Sequence, residues 1–454
     1  MVHQLAPPQP APCHAIRGAI LDFCQDPFFS PQDQAVRYFA DGLLVIRQGY
    51  IAACGPYHLL QPEWQDTPIT DYSGKLVTPG LIDTHIHYPQ TAMIASHGEQ
   101  LLEWLERYTF PTERKFADAD YAAEVAELFL DELLKNGTTT ALVFAAVFPQ
   151  SVEAFFAAAA ARNLRMISGK VMMDCRAPAY LCDTVQSSYA DSKALIQRWH
   201  GRGRLLYAVT PRFAGTSSQA QLQMAARLLE EFPDVYLQTH LSENLKEVAW
   251  IQSLFPERAN YLDVYDQAGL VREKSLFAHG IHLSDQEWQR LSEARAAISF
   301  CPTSNLFLGS GLFNLQQAKH PDRPVKVGLG TDIGAGTSFS LLQTSNEAYK
   351  VAQLQGQKLS ALQALFLATL GGARALCLED KIGSFDVGKE ADFIVLDPQA
   401  TPLLALRNQG GLPKDLVDLA DLVFSLLLMG DDRAIAATYI MGQPLHPKPD
   451  RRTP

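Results

Sequence analysis

The first residues able to do chemistry lie in one stretch, Thr78-Pro79-Gly80-Leu81-Ile82-Asp83-Thr84-His85-Ile86-His87-Tyr88-Pro89-Gln90. Leu81–His87 reads as a short buried strand bounded by turn residues. Side chains two apart on a strand point to the same side, so His85 and His87 aim together. Neutral imidazoles aimed at one point can share a cation. Alone, His-x-His is a weak signal. Far downstream, His240, His279 and Asp332 each fall at the end of another apolar run. Each taken singly reads equally well as a packed core residue. Four imidazoles and a carboxylate, all at strand ends, read as a metal site. A site of three histidines and one carboxylate suits Zn²⁺, and Fe²⁺ also accepts that set. Such a cation lowers the pKa of a bound water toward neutrality and yields a hydroxide nucleophile.

A proton shuttle is then needed. Glu243 follows His240 by three residues, close enough to face the same cavity. A partly buried carboxyl there holds a raised pKa and passes protons to substrate. Its bland reading is a glutamate complementing the dipole of a helix that starts at Asn244. Asp332 can both bind metal and accept a proton from the water. A second metal would need a bridging lysine at the end of the fourth run, which instead reads Thr210-Pro211-Arg212-Phe213. Lys170 sits mid-run and reads as structural, so one metal is expected.

Arg212 only donates hydrogen bonds and so favours an oxo group over an amino group. Its bland reading is a salt bridge at the rim. Phe213 offers a face for a flat heterocycle. Gln90 offers a donor and an acceptor. Together the three suggest an oxopurine.

Elements must bring these residues together. From Gly80, short apolar runs alternate with helical patterns: Leu81–His87, Thr138–Phe144, Met166–Met173, Leu205–Pro211, Val235–His240, Ser275–His279, Ala297–Cys301 and Val325–Thr331. Helices are expected over Ser151–Ala161, Gln219–Glu231, Asn244–Leu254, Asp285–Ala294, Leu341–Leu354 and Ser360–Ala375. Eight such units predict an α/β fold, a (β/α)8 TIM-like barrel over 79–381 with its active site at the strand C-terminal ends. Both chain ends carry β texture. Arg37–Phe39 and Gly42–Ile46 read as strands joined at Ala40-Asp41, Tyr50–Cys54 as a third, and Asp71-Tyr72-Ser73-Gly74 as a turn into Leu76-Val77. Ala391–Leu396 and Ile435–Met441 read as strands with a helical segment Lys414–Met429 between them. Residues 14–78 and 382–445 are expected to form one small β-sandwich domain, with flexible ends at 1–13 and 446–454.

At 454 residues the chain accommodates a barrel of about 250 residues and a second module. A net charge of −11 with no Lys/Arg cluster argues against a nucleic-acid surface. No stretch is apolar enough to span a bilayer, and Met1–Pro8 lacks a signal core. Seven cysteines without a CxxC pair suggest reduced thiols in a cytoplasmic protein. His97-Gly98-Glu99 has no Pro-Cys-x-x-Cys partner, which excludes the unrelated zinc deaminase fold.

The chain resembles the amidohydrolase superfamily and, within it, the guanine deaminase family. The resemblance rests on Asp41-Gly42-Leu43-Leu44-Val45, Pro79–Gln90, Thr210–Phe213, His240-Leu241-Ser242-Glu243-Asn244, Phe300-Cys301-Pro302-Thr303-Ser304-Asn305, Gly328–Asp332 and Gly383–Asp392, nearly the whole chain. It implies hydrolysis of guanine to xanthine and ammonia, with metal held by His85, His87, His240 and Asp332. It implies that Glu243, His279 and Asp332 also face the substrate, with His279 either a ligand or a contact to hydroxide and substrate only. A homodimer follows from the same resemblance. A triazine, pterin, cytosine or adenosine-type hydrolase on the same fold, and a non-catalytic scaffold, are the competing readings.

Overall fold

The computed structural model describes residues 13–446. The expected flexible ends lie outside that range, save for Cys13 and His446.

The two chain ends meet in one seven-stranded sheet. Its strands are β1 (His14–Phe23), β2 (Val36–Arg47), β3 (Tyr50–Pro56) and β4 (Ile69–Pro79) from the N-terminal side. Between β4 and the C-terminal strands come the barrel strands β5 (Leu81–His87), β6 (Thr138–Phe144), β7 (Arg165–Gly169), β8 (Val171–Met172), β9 (Leu206–Pro211), β10 (Tyr236–Leu241), β11 (Ser275–His279), β12 (Ala297–Phe300) and β13 (Lys326–Leu329). The end sheet is completed by β14 (Phe393–Leu396), β15 (Ile435–Ile440) and β16 (Gln443–Pro444) in the order β16-β15-β14-β4-β1-β2-β3. Ile16, Leu44, Val77, Phe393 and Tyr439 share one buried cluster. Ala391 bonds both hairpin tips, donating to Gly49 and accepting from Gly442 at 2.8 Å each.

Two expected turns are absent. Ala40-Asp41 is a solvent-exposed bulge within the continuous β2, and Asp71–Gly74 lies inside β4. The register slips between Gly18 and Ile20, so β2 gains one extra residue without ending. The turn residues there mark irregular pairing instead of chain reversal.

The eight parallel barrel strands run in the order β5-β6-β7-β9-β10-β11-β12-β13, with short β8 pairing alongside β9. The third apolar run is thus broken at Lys170, which is buried and ion-paired with Asp183. Closure between β13 and β5 comes from polar groups. Thr84 Oγ1 donates to Leu329 O at 2.9 Å, and Asp332 N donates to His85 O at 2.9 Å. Asp83 accepts from the Thr331 hydroxyl and from the amides of Thr331 and His85. All seven residues of β5 and of β6 are buried, as expected of strands covered on both faces.

Helices Gln219–Glu231 and Leu341–Leu354 run as expected. The expected helix Ser360–Ala375 is two, Ala361–Leu367 and Leu370–Ala375. The carbonyl of Ala368 is taken by Ile82 N at 2.8 Å, which ends the first helix on the barrel strand. Helix Leu416–Met429 packs on the barrel helices Leu341–Leu354 and Ala361–Leu367, with Phe424 edge-on to Tyr349 at 5.0 Å. Among the described residues no helix is long and apolar enough to cross a membrane.

Candidate active site

The C-terminal ends of β5, β10, β11 and β13 meet at one mouth. His85 and His87 come from β5, His240 from β10, His279 ends β11, and Asp332 follows β13. His85 Nε2 lies 3.3 Å from His87 Nε2, which lies 3.3 Å from His240 Nε2. Asp332 Oδ1 is 3.2 Å from His85 Nε2 and 3.3 Å from His87 Nε2. Corners of a tetrahedron that far apart lie about 2.0 Å from its centre, the length of a bond from zinc to imidazole or carboxylate. His85, His87 and Asp332 are thus spaced to share one divalent cation, and His240 adjoins them through His87. His279 joins His85 and His240 in a second cluster of possible donors, its Nε2 4.0 Å from Asp332 Oδ2 and 3.3 Å from Glu243 Oε2.

The surroundings prepare these donors. Burial holds His87 down at about 4 and His279 at about 3, and pushes His240 well below its ordinary value. All three imidazoles are therefore neutral near pH 7, with a lone pair to give. His240 Nδ1 lies 2.7 Å from the carbonyl of Arg212. A carbonyl only accepts, so the ring proton sits on Nδ1 and Nε2 is free to ligate. The Nδ1 atoms of His85 and His87 find no such partner among the described residues. Burial opposes charge on Asp332, yet the imidazoles of His85 and His87 hold its carboxyl well below the usual range. Phe144 of β6 walls the cluster, its ring 4.6 Å from His87 and 4.7 Å from His240.

The backbone is bent to aim them. His279, Ser242 and Asp332 all adopt left-handed conformations, with φ of 72°, 49° and 51°. Such conformations cost about 1–3 kcal/mol each in non-glycine residues and gather at functional sites.

Glu243 points into the mouth. Its Oε1 accepts from Ser310 Oγ at 3.1 Å. Burial, then the charges of Asp332 and Glu247, raise its pKa well above the usual value, which favours its protonated form. The capping of helix Leu245–Leu254 falls instead to Asn244 and Glu247, whose carboxylate accepts the Glu243 amide at 2.9 Å. His279 Nδ1 lies 2.9 Å from the Asn305 amide nitrogen, so with the amide oriented this way the ring proton is on Nε2.

Arg212, Phe213 and Gln90 line the same pocket. Phe213 is buried and tilted against Trp250, ring centres 6.0 Å apart. Gln90 is crowded by the loop after β13, where a Cβ on Gly334 would come 2.0 Å from its Oε1. The rim salt bridge expected as the bland reading of Arg212 is also present, to Glu113 at 2.8 Å. Glu113 escaped the sequence reading. It lies in a cover over the pocket: Leu101–Trp104, a π-helical turn Leu105–Thr109, then Phe110–Glu113. Leu101, Trp104 and Leu105 supply its apolar underside. The signal was length, since about fifty residues separate β5 from β6, far more than the crossover helix Ala119–Lys135 and two short loops need.

The sequence model of the Amidohydrolase family matches residues 76–445. The chain belongs to the amidohydrolase family. This amidohydrolase is 55% identical over 432 residues to the guanine deaminase of Escherichia coli (strain K12), covering 94% of this chain and 97% of that one. The solved E. coli guanine deaminase superposes with a TM-score of 0.92 at 53% identity, over 96% of this chain and all of that one. The guanine deaminase of C. acetobutylicum, solved with guanine bound in its active site, gives a TM-score of 0.84 at 29% identity, over 96% of this chain and all of that one. Triazine hydrolase and adenosine deaminase structures match at 21–23% identity and share the fold alone.

Proposed function

We propose that this chain hydrolyses guanine to xanthine and ammonia at a single divalent cation held by His85, His87, His240 and Asp332. The observation that carries this reading is one pocket holding clustered metal donors, a buried carboxyl whose protonated form is favoured and a hydrogen-bonding pair suited to an oxopurine. High identity to guanine deaminases over nearly the whole chain supports it. Zn²⁺ suits the donors best, and when bound it would bring a water toward ionisation at neutral pH.

The protein's own groups do the rest. Arg212 and Gln90 orient the ring, and Phe213 packs beside it. His279, as an Nε2–H donor, fixes the attacking water against the ring carbon. Asp332 accepts a proton from that water. Glu243 donates a proton to the ring nitrogen as the new C–O bond forms; the proton that Asp332 took from the water then passes to the amino group, the C–N bond breaks to release ammonia, and the hydroxyl left on the ring returns a proton to Glu243 as it becomes the carbonyl. Trp104 and Leu105 exclude solvent, which strengthens each of these polar contacts. The resemblance also carries a homodimer and a cytoplasmic role in purine breakdown, which light scattering and cell fractionation can examine.

Metal-replete protein assayed with guanine, adenine, cytosine and pterins should release ammonia from guanine at least about 100-fold more efficiently than from the others. No ammonia from guanine overturns the reading.

A further inference from the structure

Glu113 is fully buried beneath the pocket cover and touches two recognition residues at once. Its Oε1 accepts from Gln90 Nε2 at 3.1 Å. Arg212 Nη1 donates to Oε1 at 3.0 Å and to Oε2 at 2.8 Å. Arg17 with Asp41, Arg37 with Asp22 and Arg290 with Asp266 each present the Nε–Nη2 fork to a carboxylate. Arg212 instead meets Glu113 end-on through one nitrogen. Its Nε and Nη2 make no hydrogen bond among the described residues, and the side chain lines the pocket.

Gln90 is fixed by the same carboxylate. An amide can turn over and exchange its donor for its acceptor. A carboxylate paired with arginine only accepts, so the Gln90 nitrogen must face Glu113. The Gln90 oxygen makes no hydrogen bond among the described residues; it lies against the loop at Gly334, on a side chain that lines the pocket.

We propose that Glu113 is the positioning residue that sets the polarity of substrate recognition, presenting donors from Arg212 beside an acceptor from Gln90. The complementary ligand is a ring bearing an oxo group and, on a neighbouring edge, an N–H. A ring with an amino group in place of the oxo group sets N–H against N–H. Glu113 thus contributes to specificity without touching substrate. This assignment rests on the guanine reading above.

The test is Glu113→Gln with guanine as substrate and 2-aminopurine, which lacks the oxo group, as competitor. A glutamine at 113 both donates and accepts, so it no longer dictates the Gln90 amide. KM for guanine should rise about 100-fold with kcat within about fivefold, while Ki for 2-aminopurine moves less than about threefold. Metal content should stay at the wild-type level. KM and Ki rising together, or a fall in kcat alone, overturns the assignment, because a merely structural residue would not separate the two ligands. If the unpaired guanidinium keeps that variant from folding, Glu113→Asp keeps the charge and withdraws the carboxylate from Gln90. An increase in KM of about tenfold is then expected, and an unchanged KM overturns the proposal. Wild-type protein that does not turn over guanine defeats the reaction reading and this proposal with it. Wild-type turnover with an unshifted variant defeats only the role of Glu113.

Discussion

Replacing Glu243 by glutamine separates proton transfer from every other property of the site. The substitution preserves size and keeps an oxygen that can accept from Ser310, now 3.1 Å from Oε1. The Glu243 backbone amide remains tied to Glu247, so the loop after β10 should not move. The proposed metal donors are other residues, and burial raises the pKa of Glu243, which favours its neutral form in the folded protein. Removing its proton therefore leaves no new buried charge, and unfolding should shift by no more than about 1 kcal/mol. What is lost is a general acid, which contributes about 10²–10⁴ in rate, or about 3–5.5 kcal/mol of barrier. The assay is ammonia release from guanine under saturating substrate, with metal per chain measured on the same sample. The expected result is kcat down by at least 10²-fold, KM within threefold and metal content unchanged. A kcat within threefold of wild type would remove Glu243 from proton transfer and leave its burial beside Ser310 and His279 without a catalytic purpose.

Other perturbations have equally specific outcomes. Exhaustive chelation should abolish turnover and lower the unfolding temperature, because the clustered donors of His85, His87, His240 and Asp332 lose the ion that binds only the folded state; Zn²⁺ should restore both, and full activity after chelation would refute the site. Gly334→Ala should raise KM for guanine at least tenfold with metal intact, since its Cβ would fall 2.0 Å from Gln90 Oε1 at a φ of +122°; an unchanged KM would show that Gln90 has room to retreat. Glu390→Ala strips the buried guanidiniums of Arg165 and Arg204 of a shared carboxylate between barrel and end sheet, and denaturant unfolding should show a loss of about 3–5 kcal/mol with KM unaltered.

The barrel was legible because its strands are short, apolar and bounded, and because parallel strands covered on both faces keep a continuous apolar run. The runs ending at His240 and His279 matched β10 and β11 to within a residue or two. The end sheet was less legible. Ala40-Asp41 and Asp71–Gly74 carry turn residues, yet pairing with β1 draws them into strands, a tertiary effect that local propensity does not record. The break at Thr369 is of the same kind, since the carbonyl that would continue the helix is taken by a strand about 290 residues earlier in the chain.

By itself the sequence determined which residue types stand at strand ends, and so the candidate donors His85, His87, His240 and Asp332, the candidate acid Glu243 and the pair Arg212 and Gln90. Those facts follow from the two-residue period of a strand and the one-sided mouth of a barrel. Only the tertiary structure decided how far apart the donor atoms sit, which carboxyl is neutral, and that Glu113 reaches under the pocket to Gln90 and Arg212. A chain segment without a repeating pattern encodes no direction, and a buried carboxylate is recognisable only once its partners surround it.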